Sequence, residues 1–157
     1  MNKKLIFALT GLSLAIGLGA TPAALTTPAY AVDNMSSTDA PDLTSVRAKI
    51  KAKDYASALT ELRKLADDVQ HADVYNLLGF TLRKTGDFKT SLTYYTKAIE
   101  MAPEHKAARE YLGELYVETG NMEKAKEQLA VLAKLCPGGC EEREDLQKAI
   151  NAKSASN

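Results

Sequence analysis

"ADVYNLLGFTLRKTGDFKTSLTYYTKAIEMAPEH", residues 72–105, runs directly into "KAAREYLGELYVETGNMEKAKEQLAVLAKLCPGG", residues 106–139, and the two align without a gap at an offset of 34. Leu78-Gly79 falls on Leu112-Gly113, Leu82 on Tyr116, Thr85-Gly86 on Thr119-Gly120, Phe88 on Met122, Ser91 on Ala125, Tyr95 on Leu129 and Pro103 on Pro137. Within each copy the apolar residues recur at helical spacing, and the pattern breaks at "TGD" or "TGN" and again at the proline. The period therefore predicts two consecutive helical hairpins in an all-α chain.

Each shared residue has a mechanical reason to sit where it does. Gly79 and Gly113 lack a Cβ and are expected to let the paired helix approach closely, with the small Ser91 and Ala125 facing them. Gly86 and Gly120 suit the left-handed conformation that ends a helix, and Asp87 and Asn121 suit the N-cap of the next one. Pro103 and Pro137 keep the second helix from running on.

Working outward, a looser copy precedes these at an offset of 33. Asp54-Tyr55 lies under Asp87-Phe88, Ala58 under Ser91, Leu62 under Tyr95 and Leu65 under Ala98. Its first helix has Ser45-Val46 where Leu-Gly is expected, and its turn reads Lys53-Asp54 without glycine. Downstream, "EEREDLQKAINAK" puts Leu146, Ala149 and Ile150 on one face, as suits a helix capping the stack. The expected boundaries are a degenerate repeat at 39–71, repeats at 72–105 and 106–139, a cap at 141–152 and a tail at 153–157, with the folded domain spanning 43–152.

A helix-turn-helix unit of this length, with Leu-Gly in the first helix, a small residue in the second and a closing proline, resembles the tetratricopeptide repeat. The resemblance implies a short right-handed α-solenoid of about three hairpins plus a C-terminal capping helix, similar to small exported bacterial proteins of this repeat class with a cysteine-bearing cap. It also implies protein or peptide binding on a concave groove lined by the first helices. Carried over residue by residue, the groove positions are Asp73, Asn76, Phe80, Arg83 and Lys84 in one repeat and Ala107, Glu110, Glu114, Val117 and Glu118 in the next. Asn76 resembles the asparagine with which some members hold a peptide backbone or carboxylate. The following repeat offers acids where a carboxylate clamp needs cations.

The N-terminus carries an address rather than a fold. Lys3 and Lys4 precede the 16-residue apolar run "LIFALTGLSLAIGLGA", and the segment ends in Ala29-Tyr30-Ala31, the order of a secretory signal with a small-x-small cleavage site. The run is short of the roughly 20 residues of a membrane-spanning helix. Residues 1–31 are therefore read as a signal peptide, 32–42 as a flexible leader, and the processed protein as soluble and periplasmic or secreted. Of 20 basic and 20 acidic residues, the signal holds two basic and no acidic ones, leaving 18 against 20. That balance offers no electrostatic attraction for nucleic acid or an anionic membrane.

Cys136 and Cys140 are the only cysteines, in the stretch "KLCPGGCEE". In an oxidising compartment a disulfide between them is the default. Cys140 at a helix start gives a redox role one argument, because the helix dipole favours thiolate. Glu141, Glu142 and the CxxxC spacing weigh against it. His71 and His105 lie at successive junctions, where helices packed about 8–10 Å apart are too widely spaced to share one ion with the cysteines. No metal or cofactor is expected, and the absence of phosphate-loop, dinucleotide, HExxH and GxSxG motifs predicts a protein that is not an enzyme. Glu110, Glu114 and Glu118, at four-residue steps, repel by roughly 0.2–0.5 kcal/mol per pair; Arg83 and Lys84 are expected to neutralise them, or else they form a strip for a basic partner. The functional expectation is an exported adaptor that binds protein or peptide in the groove. The alternatives are thiol redox or metal handling through Cys136 and Cys140, and a structural module whose unpaired end faces make a homo-oligomer.

Overall fold

The computed structural model describes residues 40–156; the expected signal segment and all of the leader before residue 40 lie outside the described residues. Among them, the chain forms seven helices: α1 (Thr44–Lys51), α2 (Tyr55–Asp68), α3 (Ala72–Lys84), α4 (Phe88–Met101), α5 (Lys106–Glu118), α6 (Met122–Leu135) and α7 (Glu141–Ala155). Consecutive helices pair as the hairpins α1/α2, α3/α4 and α5/α6, each second helix then packs on the first helix of the next hairpin, and α7 lies against both α5 and α6. This is an all-α solenoid of stacked hairpins.

The turns explain why the helices stop and restart where they do. Gly86 (φ +87°) and Gly120 (φ +80°) adopt the left-handed conformation, and Asp87 and Asn121 then accept hydrogen bonds from the amides of Thr90 (3.1 Å) and Lys124 (3.3 Å). The first hairpin builds the same turn without glycine: Lys53 takes φ +60° and Asp54 caps through the Ser57 amide at 3.1 Å. A side chain in that conformation costs roughly 1–2 kcal/mol.

Packing follows the register with one change of partner. At Gly79, a Cβ would lie 2.6 Å from the Tyr95 ring of α4, and Ser91 donates to the Gly79 carbonyl at 2.7 Å, so this glycine admits the paired helix. Gly113 instead faces α7, where a Cβ would meet Leu146 Cδ2 at 2.4 Å. The expectation that Gly113 opens space for α6 is thus corrected, because α7 stacks on α5 as the first helix of a further half-repeat. Leu146 and Ile150 are buried with Val117, Ala125 and Leu132, while Leu43, Val46, Leu62, Val74 and Leu78 form the core of the N-terminal hairpins.

The last helix runs three residues beyond the expected cap boundary, to Ala155. The Ser154 hydroxyl donates to the Ile150 carbonyl at 2.9 Å, and Lys153 in the last turn complements the carbonyl end of the helix dipole. Between α6 and α7, Cys136 and Cys140 are joined through their sulfurs across a corner with Cα atoms 6.0 Å apart. Cys136 caps the end of one helix and Cys140 the start of the next.

Candidate functional site

The first helices of the hairpins, α1, α3 and α5, enclose a cleft of about 210 Å³ lined by Arg47, Ile50, Lys51, Leu77, Phe80 and Tyr111. Its floor is apolar. Phe80 and Tyr111 meet with ring centroids 5.0 Å apart and planes tilted by 53°, and the Lys84 ammonium sits 5.2 Å from the Phe80 centroid. Phe80 thus lines the cleft, and Lys84 stands over its ring rather than against the acids it was expected to neutralise. Ala107 lies further along, in a second, polar cavity between α5 and α7.

Arg83 is a pillar under the cleft rather than part of its surface. Its side chain is only 1% exposed; one amino group donates to Glu114 at 2.5 Å and the other to Glu118 at 2.7 Å. The guanidinium carbon lies 5.7 Å from the Phe80 centroid and 5.8 Å from that of Tyr111. Burial opposes its charge, but the fields of Tyr95, Glu114 and Glu118 outweigh that and raise its pKa. The groove assignment of Arg83 is thus corrected: two carboxylates and two ring faces take the place of water around its amino groups and ring-facing surface, and only Nε is buried without a partner. Glu114 and Glu118 keep their free edges toward solvent.

Three other expected groove residues are displaced by the stacking. Val117 is buried against Ala125, Leu132, Leu146 and Ile150, since α7 covers that face of α5. Asp73 bridges two repeats: its carboxylate accepts from His105 Nε2 at 2.9 Å. His105 Nδ1 meanwhile accepts from the Ala108 amide at 3.2 Å, and His71 Nδ1 from the Asp73 amide at 3.2 Å, so both histidines are helix N-caps. With Nδ1 accepting, the His105 proton resides on Nε2, facing Asp73. Among the described residues no three His, Cys, Asp or Glu side chains are grouped so as to hold a metal ion. Asn76 is the third, 4% exposed, and its side-chain oxygen is enclosed with no hydrogen-bond partner.

Glu110 occupies the Asn76 position one repeat on and is likewise buried, at 8% exposure. Burial first, and then Glu114, Asp145 and Glu142, together push its carboxyl pKa up to about 8 against the opposing field of Arg83. The face is consequently polarised, with Arg47 and Lys51 at the α1 end of the cleft and the carboxylates of α5 and α7 at the other.

Sequence reasoning passed over Arg47, Ile50, Lys51 and Tyr111. The signal for the first three was present: stepping back 33 residues from Phe80, Arg83 and Lys84 lands on Arg47, Ile50 and Lys51. The missing Leu-Gly pair in α1 obscured that register.

Residues 82–138 match a family described as Tetratricopeptide repeat. A stretch of 66 residues is 33% identical to an uncharacterized protein, ycf37, of Guillardia theta, covering 42% of this chain and 37% of that one. The chain thus spans well under half the length of the relative it matches. Such repeats generally serve as non-enzymatic scaffolds for protein interaction. With hairpins stacked at a 34-residue register, glycine-closed turns and small residues at the helix crossings, the matched stretch, residues 82–138, has the build of tetratricopeptide repeats.

Proposed function

We propose that this protein is a non-enzymatic adaptor that binds an extended protein or peptide segment along its concave face. One observation carries the reading: the open apolar cleft of Ile50, Leu77, Phe80 and Tyr111, built on three successive first helices and bordered by Arg47 and Lys51. Such a cleft fits an apolar or aromatic side chain as anchor, and an aromatic anchor pairing with Phe80 or Tyr111 adds about 0.5–1.5 kcal/mol beyond simple burial.

The signal-like N-terminus supports export, to the periplasm or beyond, where the Cys136–Cys140 bond would persist as a staple fixing the corner between α6 and α7. In that reading the bond is structural and takes no part in thiol exchange.

The test is selection of peptides from a random displayed library on the full chain, followed by calorimetry on a selected peptide. Phe80→Ala should weaken binding at least tenfold, while Thr93→Ala, an exposed position on α4, should leave it unchanged. Equal loss in both variants, or in neither, would remove the cleft from the account.

A further inference from the structure

Between α5 and α7 lies a second cavity, of about 190 Å³, walled by Ala107, Glu110, Tyr111, Glu141, Glu142 and Asp145. Four of its six lining side chains are carboxylic acids. Glu141 and Glu142 have a local reason to be there, since they complement the positive end of the α7 dipole. Glu110 has none: it sits mid-helix in α5, 92% removed from solvent given its 8% exposure, and makes no hydrogen bond or ion pair. The nearest cation to act on it, Arg83 of α3, is already shared between Glu114 and Glu118. Its carboxyl oxygens are not among the enclosed atoms without a partner, so they open on the cavity, where an unpaired carboxyl facing three further acids is costly to the fold alone.

We infer that this cavity receives the cationic head of a basic side chain, a guanidinium or an ammonium, from a segment bound along the concave face. The inference rests on the adaptor reading above. Charge complementarity selects a cation, and the size of the space selects an organic one, because 190 Å³ corresponds to about six water volumes, far more than a bare ion fills. The acids also lack the clustering that a metal ion requires among the described residues. Tyr111 supplies a ring to the wall, against which a guanidinium or ammonium is attracted by the π quadrupole. The Cys136–Cys140 corner holds the first turn of α7, and with it Glu141 and Glu142, at the cavity wall.

The charged groups acting on Glu110 are Glu114 on its own helix, Asp145 and Glu142 on α7, and Arg83 on α3. An arriving cation adds an opposite charge and draws off the Glu110 proton, so binding releases a proton below about pH 8 and tightens as pH rises toward that value.

The test titrates the isotopically labelled full chain with Nα-acetyl-L-arginine N-methylamide at pH 6 and pH 8, using its uncharged isostere Nα-acetyl-L-citrulline N-methylamide and calcium chloride as comparisons. The expected result is saturable shifts at the amides of Glu110, Tyr111 and Asp145 with the arginine compound, at least fivefold tighter at pH 8, and no saturation with citrulline. Asp145→Asn, a substitution at an exposed position, should weaken binding several-fold, and Glu110→Gln should abolish the pH dependence. Equal binding of citrulline, tighter binding of calcium than of the arginine compound, or no saturable shift on α5 and α7 would overturn the inference. If those failures occur while Phe80→Ala still disables a selected peptide, the cleft reading stands and the cavity reading falls.

Discussion

Glu110→Gln should stabilise the protein at high pH and do little at low pH. The folded-state pKa of about 8 stands above the ordinary 4.5, so the folded state holds a proton that the unfolded chain has released. Stability therefore falls as pH rises from about 4.5, and the loss is complete above about 8, where the carboxylate is ionised in both states. The difference of 8 − 4.5, or 3.5 pH units, corresponds to about 5 kcal/mol in a dry site. Glu110 borders a cavity whose other acids Glu141 and Asp145 are exposed, so solvent screening reduces this, and about 2 kcal/mol is the working figure. Glutamine keeps the shape and cannot ionise. Thermal and urea unfolding of both proteins should give the variant an advantage of about 2 kcal/mol at pH 9, or a rise of roughly 6–10 °C in Tm, shrinking below about 0.5 kcal/mol at pH 4. An advantage of the same size at both pH values, or a loss at pH 9, would refute the reasoning.

Other substitutions probe the frame. Lys53→Gly should stabilise by about 0.5–1 kcal/mol in urea unfolding, because Lys53 holds φ +60° where the sister turns have glycine. Gly113→Ala should cost about 1–3 kcal/mol by the same assay, since the new methyl would sit 2.4 Å from Leu146 and push α7 off α5. Glu114→Gln should lose about 1–2 kcal/mol: Arg83, with its side chain 1% exposed, keeps Glu118 but gives up its second charged partner. A gain in stability would mean that Glu114 is held there for something other than Arg83.

Much of this architecture was legible in the sequence because the repeat positions carry backbone chemistry. Gly86 and Gly120 allow the left-handed turn, Asp87 and Asn121 cap locally, and Ser91 reaches the Gly79 carbonyl within one hairpin. Those roles depend on neighbours a few residues away or directly across a hairpin. What stayed hidden depends on partners further off. The starts of α3 and α5 differ by 34 residues, but those of α5 and α7 differ by 35, from Lys106 to Glu141. The extra residue in the Cys136–Cys140 corner throws α7 out of the 34-residue register, so its identity as a stacked first helix, and hence the burial of Val117, was invisible to a fixed-period search. The pairing of Arg83 with Glu114 and Glu118, 31 and 35 residues away, follows from the register, but its burial depends on the Phe80 and Tyr111 rings that close over it. The histidine caps were missed for a different reason: histidine is not among the side chains usually expected at an N-cap.

The account stands or falls on where a ligand sits. Amide chemical-shift mapping of the full chain with a library-selected peptide is the most direct measurement. The account predicts that the largest shifts fall on the concave face, at Arg47, Ile50, Lys51, Phe80 and Tyr111. Shifts concentrated instead on the outer helices α2, α4 and α6, with those five residues unmoved, would contradict it.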